Sequence, residues 1–209
     1  MFQDRFDAGM RLAKLLAHYK NKKECVIIAI PRGGVEIGAQ IAHELHLLLD
    51  VILVKKIGAP DNPEFAIGAV SIDDEVVDPF YENHPAYRDY VQQEKKRIRQ
   101  LLYKRYEHYR AVCPTINVRD KTVIVVDDGI ATGQTLFLVL ALLQKQKPHK
   151  IIVALPVCSP QAVHDLRTRA DELHCVITPE HFWGISQWYL RFPQVEDEQA
   201  VELLRKANQ

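Results

Sequence analysis

The chain has 209 residues, with 27 basic and 27 acidic side chains and a formal net charge of zero. That balance gives no general electrostatic pull toward nucleic acid or an anionic membrane, so an anionic ligand must be bound by local design. The length suits one domain, the apolar fraction of 47% is ordinary for a globular protein, and no apolar run approaches membrane-spanning length.

Met1 to Lys20 mixes charged and apolar residues and lacks a secretory pattern, which favours a cytoplasmic protein. Asp7 to Tyr19 reads as an amphipathic helix. Cys25 to Ile30 reads as a buried strand that runs into Pro31-Arg32-Gly33-Gly34 and a helix from about Val35 to Leu47. Adjacent glycines let a backbone wrap an anion, and Arg32 would supply charge. His43 and His46 lack H-E-x-x-H spacing and read as helix-surface residues. Val51 to Val54 reads as the next strand, ended by Lys55 and Lys56. Two glycines and two prolines between Ile57 and Gly68 exclude a long helix there. Ala66 to Ile72 reads as a further strand, with Asp73-Asp74-Glu75 as a solvated turn.

Pro85 to Arg110 reads as a long charged helix with an apolar seam, which could pack on the body or form a dimer contact. Its basic and tyrosine residues are interspersed with Asp89, Glu94 and Glu107, so a solvated face is preferred to a nucleic-acid surface. Beyond the stretch at 123–135, Ile151 to Val157 is a buried strand. Ser159-Pro160 then forms a helix start with Pro at the first position. Cys175 to Ile177 is a short last strand, and Asp197 to Ala207 a closing helix. The cysteines Cys25, Cys113, Cys158 and Cys175 show no C-x-x-C spacing, so small reduced thiols are expected rather than zinc or a redox dithiol.

The most informative stretch is Val123-Ile124-Val125-Val126-Asp127-Asp128-Gly129-Ile130-Ala131-Thr132-Gly133-Gln134-Thr135. Four mostly β-branched residues fit a strand buried on both faces of a parallel sheet. Two carboxylates follow, then a small-residue loop, then a helix from Leu136. In open α/β sheets ligands bind at such strand ends. Gly129 and Gly133 permit close backbone approach and positive φ. Free amides at the helix start suit a phosphate, and Thr132 and Thr135 add hydroxyl donors. Asp127 and Asp128 would repel that phosphate, so they suit neutral hydroxyls such as a ribose diol. The sequence Gly133-Gln134 lacks the lysine of a Walker A loop, and G-x-G-x-x-G is absent.

This stretch resembles the phosphoribosyl-pyrophosphate (PRPP) motif of type I phosphoribosyltransferases. It departs from the commonest form at Gly129, where an aliphatic residue is more usual. The resemblance implies an α/β fold with a central parallel sheet flanked by helices. Residues 1–209 would then be one domain, with a core of about 25–177, a long helical insertion at about 85–110 and a C-terminal hood at about 178–209. Pro31-Arg32-Gly33-Gly34 resembles the family's pyrophosphate loop. Lys55 and Lys56 resemble the basic pair at a strand end, with Lys55 favoured as the ligand-facing one. Residues 57–68 resemble the lid that closes over PRPP and excludes water.

The implied reaction displaces pyrophosphate from the anomeric carbon of PRPP by a nitrogen nucleophile. Mg²⁺ would accompany the pyrophosphate. Arg32 and Lys55 would face the leaving group, Asp127 and Asp128 would hold the ribose hydroxyls, and residues 129–135 would hold the 5′-phosphate. Glu64 is the nearest general acid or base. Phe182 and Trp183 are candidates for a base platform, although packing of the C-terminal helix explains them equally well. Members acting on 6-oxopurines commonly carry aspartate at the position of Ala131, so the alanine disfavours hypoxanthine and guanine. Partners would be PRPP, a small acceptor and a second subunit in a homodimer. A regulatory PRPP- or nucleotide-binding protein without catalysis is the alternative.

Overall fold

The computed structural model describes residues 1–63 and 65–209; Glu64 lies outside the described residues. The chain opens with α1 (Arg5–Leu15), capped by the Asp4 carboxylate, which accepts a hydrogen bond from the Asp7 amide. β1 (Cys25–Ala29), α2 (Gly33–Leu45) and β2 (Leu48–Val51) follow. Next come β3 (Lys55–Gly58), β4 (Ala66–Val70) and β5 (Glu75–Val77). The short α3 (Pro79–Asn83) leads into α4 (Pro85–Arg110). Then β6 (Thr122–Val126), α5 (Gln134–Lys145), β7 (Lys150–Val157), α6 (Pro160–Leu166), β8 (Glu172–Ile177) and α7 (Asp197–Ala207) complete the order.

Five parallel strands form one sheet in the order β2-β1-β6-β7-β8. The central strands β1, β6 and β7 are apolar runs buried on both faces, as interior parallel strands require. Ile27, Ala29, Ile124, Val126, Ile152 and Ala154 point to a core shared with α1, α2 and α7. Val26, Ile28, Val123, Val125 and Val153 point to the opposite core, closed by α5 and α6. Each fully buried aliphatic side chain contributes roughly 1.5–3 kcal/mol of transfer free energy.

Several sequence expectations need correction. The second parallel strand is Leu48–Val51 rather than Val51 to Val54. It contains Asp50, which is only 2% exposed. The segment from Ala66 also does not join the parallel sheet. It pairs antiparallel with β3 and β5 in a separate three-stranded sheet, with Lys55 opposite Val70 and Gly68 opposite Val77. Lys55 and Lys56 therefore begin a strand instead of ending one. The acidic stretch 73–75, expected as a solvated turn, runs into β5 at Glu75 and is salt-bridged: Glu75 to Lys95 and Arg99 at 2.7 and 2.6 Å, and Asp74 to Lys145 at 3.1 Å. Those contacts tie the small sheet to α4 and α5.

Buried Asp50 is satisfied from a distance. Its carboxylate accepts from Arg110 Nη1 at 2.7 Å, from the Ile116 amide at 2.9 Å and from the Val51 amide at 2.6 Å. This fixes the end of α4 to the edge of the main sheet. Asp50→Ala strands the Arg110 guanidinium in a nearly closed site, so a stability loss of about 3–5 kcal/mol is expected. Urea unfolding followed by circular dichroism measures it, and a loss below about 1 kcal/mol, the scale of an exposed ion pair, would contradict this role.

Candidate functional site

β1 and β6 are neighbours at the centre of the sheet, with Ala29 opposite Val126. Their C-terminal ends release two loops side by side. The Ile30 amide still donates to the Val126 carbonyl at 3.0 Å, and the chain then turns through Pro31, Arg32, Gly33 and Gly34. The Pro31–Arg32 peptide bond is cis. A Cβ on Gly33 would collide with the Asp128 carboxylate, and one on Gly34 would stand 2.9 Å from the Val126 carbonyl oxygen. Both positions demand glycine because the two loops touch.

The second loop runs from Asp127 to Gly133. Gly129 and Gly133 take φ values of 153° and 78°, which side chains rarely adopt. Gly133 precedes α5 with no side-chain cap, so the amides at that helix start have no competing acceptor from a capping side chain. The loop is also fixed from β7. The Ile130 amide donates to the Val157 carbonyl at 2.9 Å, and the Ser159 amide to the Ile130 carbonyl at 3.0 Å. The Ser159 hydroxyl donates to the Ala131 carbonyl at 2.6 Å.

The acid pair is held by groups remote in sequence. Arg5, from α1, is buried. Its Nε donates to Asp128 Oδ2 at 2.9 Å, while Nη1 reaches Glu36 at 3.3 Å and the Pro193 carbonyl at 2.8 Å. The guanidinium lies 3.8 Å from the Phe192 ring centroid. The Tyr189 hydroxyl donates to the Asp128 backbone carbonyl at 2.6 Å, and the Asp128 amide donates to Asp127 Oδ1 at 2.9 Å. Burial pushes the Asp127 carboxyl well above the usual carboxylate range, and the neighbouring Asp128 adds to the shift. Burial also raises Asp128, against the opposing pull of Arg5. Desolvation likewise raises Glu36, with Arg5 again opposing it. Burial thus dominates the ionisation of all three carboxyls, with Arg5 as the opposing charge.

A cleft of about 490 Å³ opens here, lined by Arg5, Pro31, Arg32, Gly33, Asp127, Asp128 and the segment from Phe192 to Val195. Arg32 borders it, 3.8 Å from Glu196 at the start of α7. Among the expected residues, the fold thus brings Arg32, Gly33, Asp127 and Asp128 together, with Gly34 directly behind. Gly129, Ile130, Ala131, Thr132 and Gly133 form the adjoining loop, and Gln134 and Thr135 begin α5; Thr132, Gln134 and Thr135 are exposed. Lys55 and Lys56 lie on β3, in the small sheet that leans on α5, and outside the cleft lining. Glu64 falls outside the described residues. Phe182 is half-buried and Trp183 is 89% exposed, both outside the cleft lining.

Four participants go beyond what the sequence indicates: Arg5, Glu36, Ser159 and Tyr189. Arg5 does leave a signal. It shares a helical stripe with Ala8 and Leu12, so a charge sits in an apolar register, which asks for a buried partner. The C-terminal segment reaches the site by pairing with the N-terminus. The Phe2 amide donates to the Trp188 carbonyl at 2.7 Å, and the Leu190 amide to the Phe2 carbonyl at 2.9 Å.

A family model described as Phosphoribosyl transferase domain matches residues 2–192. A Mycobacterium tuberculosis protein provisionally named a phosphoribosyl transferase is 34% identical over 214 residues, covering 100% of this chain and 47% of the relative. The chain therefore spans about half the length of the curated relatives it matches. The crystal structure of the Thermus thermophilus protein TT1426 superposes with a TM-score of 0.89 at 38% identity, covering 100% of this chain and 99% of that one. A hypoxanthine-guanine phosphoribosyltransferase from Bacillus anthracis shares the fold, with a TM-score of 0.50 at 14% identity over 84% of this chain and 79% of its own.

Ser159 tests the tethering of the loop. Ser159→Ala removes the bond to Ala131 and the cap that the hydroxyl gives the Ala162 amide at 3.1 Å. A stability loss of about 1 kcal/mol is expected, with faster hydrogen exchange confined to amides 129–133 and the start of α6. Unchanged exchange in that loop would show that the backbone bonds alone hold it.

Proposed function

We propose that this chain, which belongs to the phosphoribosyltransferase family, transfers the 5-phosphoribosyl group of PRPP to a nitrogenous base or related acceptor and releases pyrophosphate. One observation carries the reading. The glycine loop at 31–34 and the acid pair at 127–128 emerge from adjacent central strands and share one cleft, and the chain runs on from the acid pair through 129–133 to the uncapped start of α5. Each suits one part of PRPP: pyrophosphate, ribose diol and 5′-phosphate.

Breaking the anomeric bond develops positive charge on the sugar and negative charge on the leaving group. The protein's contribution is positioning and electrostatic stabilisation. Arg32 and the backbone of 32–34 would take the pyrophosphate; Glu196, 3.8 Å from Arg32, would yield to it. Asp127 and Asp128 would accept from the ribose hydroxyls. Amides and hydroxyls of 129–135 would hold the 5′-phosphate. Lys55 and Lys56 on β3, with Glu64 later in the sequence, are our proposal for closing over the leaving group and handling the acceptor proton. Phe182 and Trp183 stay proposed for the acceptor, and Phe192 supplies the aromatic face already at the cleft.

Magnesium fits this site as a companion of the substrate. Among the described residues no group of three or more His, Cys, Asp or Glu side chains converges, so they build no all-protein cage. They do place two adjacent carboxylates, Asp127 and Asp128, at the cleft, and this cation prefers phosphate oxygens and water. Asp127 and Asp128 would hold it through its waters, and when bound it would neutralise charge on the pyrophosphate. Ala131 offers no carboxylate to a base proton, which supports an acceptor other than a 6-oxopurine. The reading also treats the chain as one domain of a cytoplasmic homodimer; its four cysteines are all free thiols, and no helix among the described residues is long and apolar enough to cross a membrane.

Pyrophosphate release from PRPP across a panel of purine, pyrimidine and other nitrogen acceptors tests the reaction. Release with one acceptor class and none with hypoxanthine or guanine is expected. Release driven by hypoxanthine or guanine would contradict the acceptor assignment, and PRPP binding without release from any acceptor would favour a binding protein. The double substitution Asp127→Asn with Asp128→Asn should weaken PRPP binding at least about tenfold, since charged hydrogen bonds are lost, while circular dichroism stays unchanged. Full affinity in that variant would remove the acid pair from the site.

A further inference from the structure

Arg5 is the residue that the PRPP motif does not explain. It comes from the N-terminal helix, far from every motif loop in sequence, yet it meets three of the parts around the cleft. Nε holds Asp128, the second acid of the pair. Nη1 holds Glu36, in the first turn of the helix that begins at the glycine loop, and also the Pro193 carbonyl of the C-terminal segment. Phe192 covers its flat face at 3.8 Å. A guanidinium with this many directed partners has little freedom, and a rigid fork transmits its own position to what it binds.

From this we infer that Arg5 is a positioning residue for ribose recognition: it fixes the Asp128 carboxylate so that the acid pair reads the 2′,3′-diol of the sugar. The inference rests on the phosphoribosyl reading above. Three physical points support it. The Arg5 bond occupies Oδ2 of Asp128 and leaves Oδ1 as the atom for a ligand hydroxyl. Arg5 supplies the positive charge that offsets two adjacent carboxylates, which would otherwise favour protonation or repel a polyanionic ligand. Burial of the side chain makes both effects strong, because little water screens them. Three Arg5 hydrogen bonds go to two carboxylates and a carbonyl, and Nε, the donor that points at the acid pair, is committed to Asp128.

The readout is the ratio of affinities for ribose 5-phosphate and 2-deoxyribose 5-phosphate, measured by calorimetry with the full chain. Wild type should prefer the ribose form. Arg5→Met should reduce that preference about tenfold, the scale of a lost charged hydrogen bond, and leave affinity for inorganic pyrophosphate within about twofold. Arg5→Lys should restore part of the preference by keeping the charge without the fork. In a double-mutant cycle Arg5→Met should add almost nothing to Asp128→Asn, since both act on one contact. A structural role alone would lower stability and weaken both sugars alike, so an unchanged ratio in Arg5→Met and Arg5→Lys overturns the inference. Additive losses in the cycle overturn it too. If Arg5→Met fails to fold, the Arg5→Lys ratio and its cycle with Asp128→Asn decide. Absence of any sugar-phosphate binding by wild type would instead overturn the phosphoribosyl reading, and this inference with it.

Discussion

The site depends on one steric constraint: the loop after β1 lies against the loop after β6 closely enough that Gly33 touches the Asp128 carboxylate. The constraint follows from the sheet order. β1 and β6 are adjacent and parallel, in register from Cys25 opposite Thr122 to Ala29 opposite Val126. Their ends therefore arrive at the same height, a strand spacing apart, and any side chain at 33 or 34 would wedge them open. Closeness of the loops is what allows one small ligand to touch both.

The same closeness creates an electrostatic problem that the rest of the fold answers. Two consecutive carboxylates in a partly desolvated place resist ionisation together. Arg5 answers part of the problem, and a bound cation with its anionic ligand would answer the rest. The terminal segments of the fold deliver the protein's share of that answer. Pairing of Phe2 with the chain near Tyr189 brings Arg5, Tyr189 and Phe192 to the acid pair at once. A protein with no net charge thus concentrates charge where its ligand needs it.

How much of this is legible in the sequence depends on whether the signal is local. The strands at 25–30, 123–126 and 151–157 are legible because continuous apolar runs rich in Val and Ile need no partner to be recognised. The 26-residue helix Pro85–Arg110 is legible because its seam repeats over several turns. Asp50 hides β2, since a carboxylate inside a strand looks like a breaker until Arg110 supplies its ion pair from far along the chain. Lys55 and Lys56 hide β3 in the same way, because its strand character comes from pairing with β4 rather than from apolar alternation. At the site, the glycines and acids are readable as chemistry. Their completion by Glu36, Tyr189 and Ser159 is not, as each is joined to the motif only by the fold, and Arg5 shows only as a charge in an apolar stripe.

Titration of PRPP into the full chain by calorimetry, with and without Mg²⁺, measures the central claim most directly. One binding site that tightens when Mg²⁺ is present, and that ribose 5-phosphate and pyrophosphate each compete for, is the predicted result. No detectable binding of PRPP at millimolar concentration under either condition would contradict it, and the cleft between the two loops would then belong to a different phosphorylated ligand.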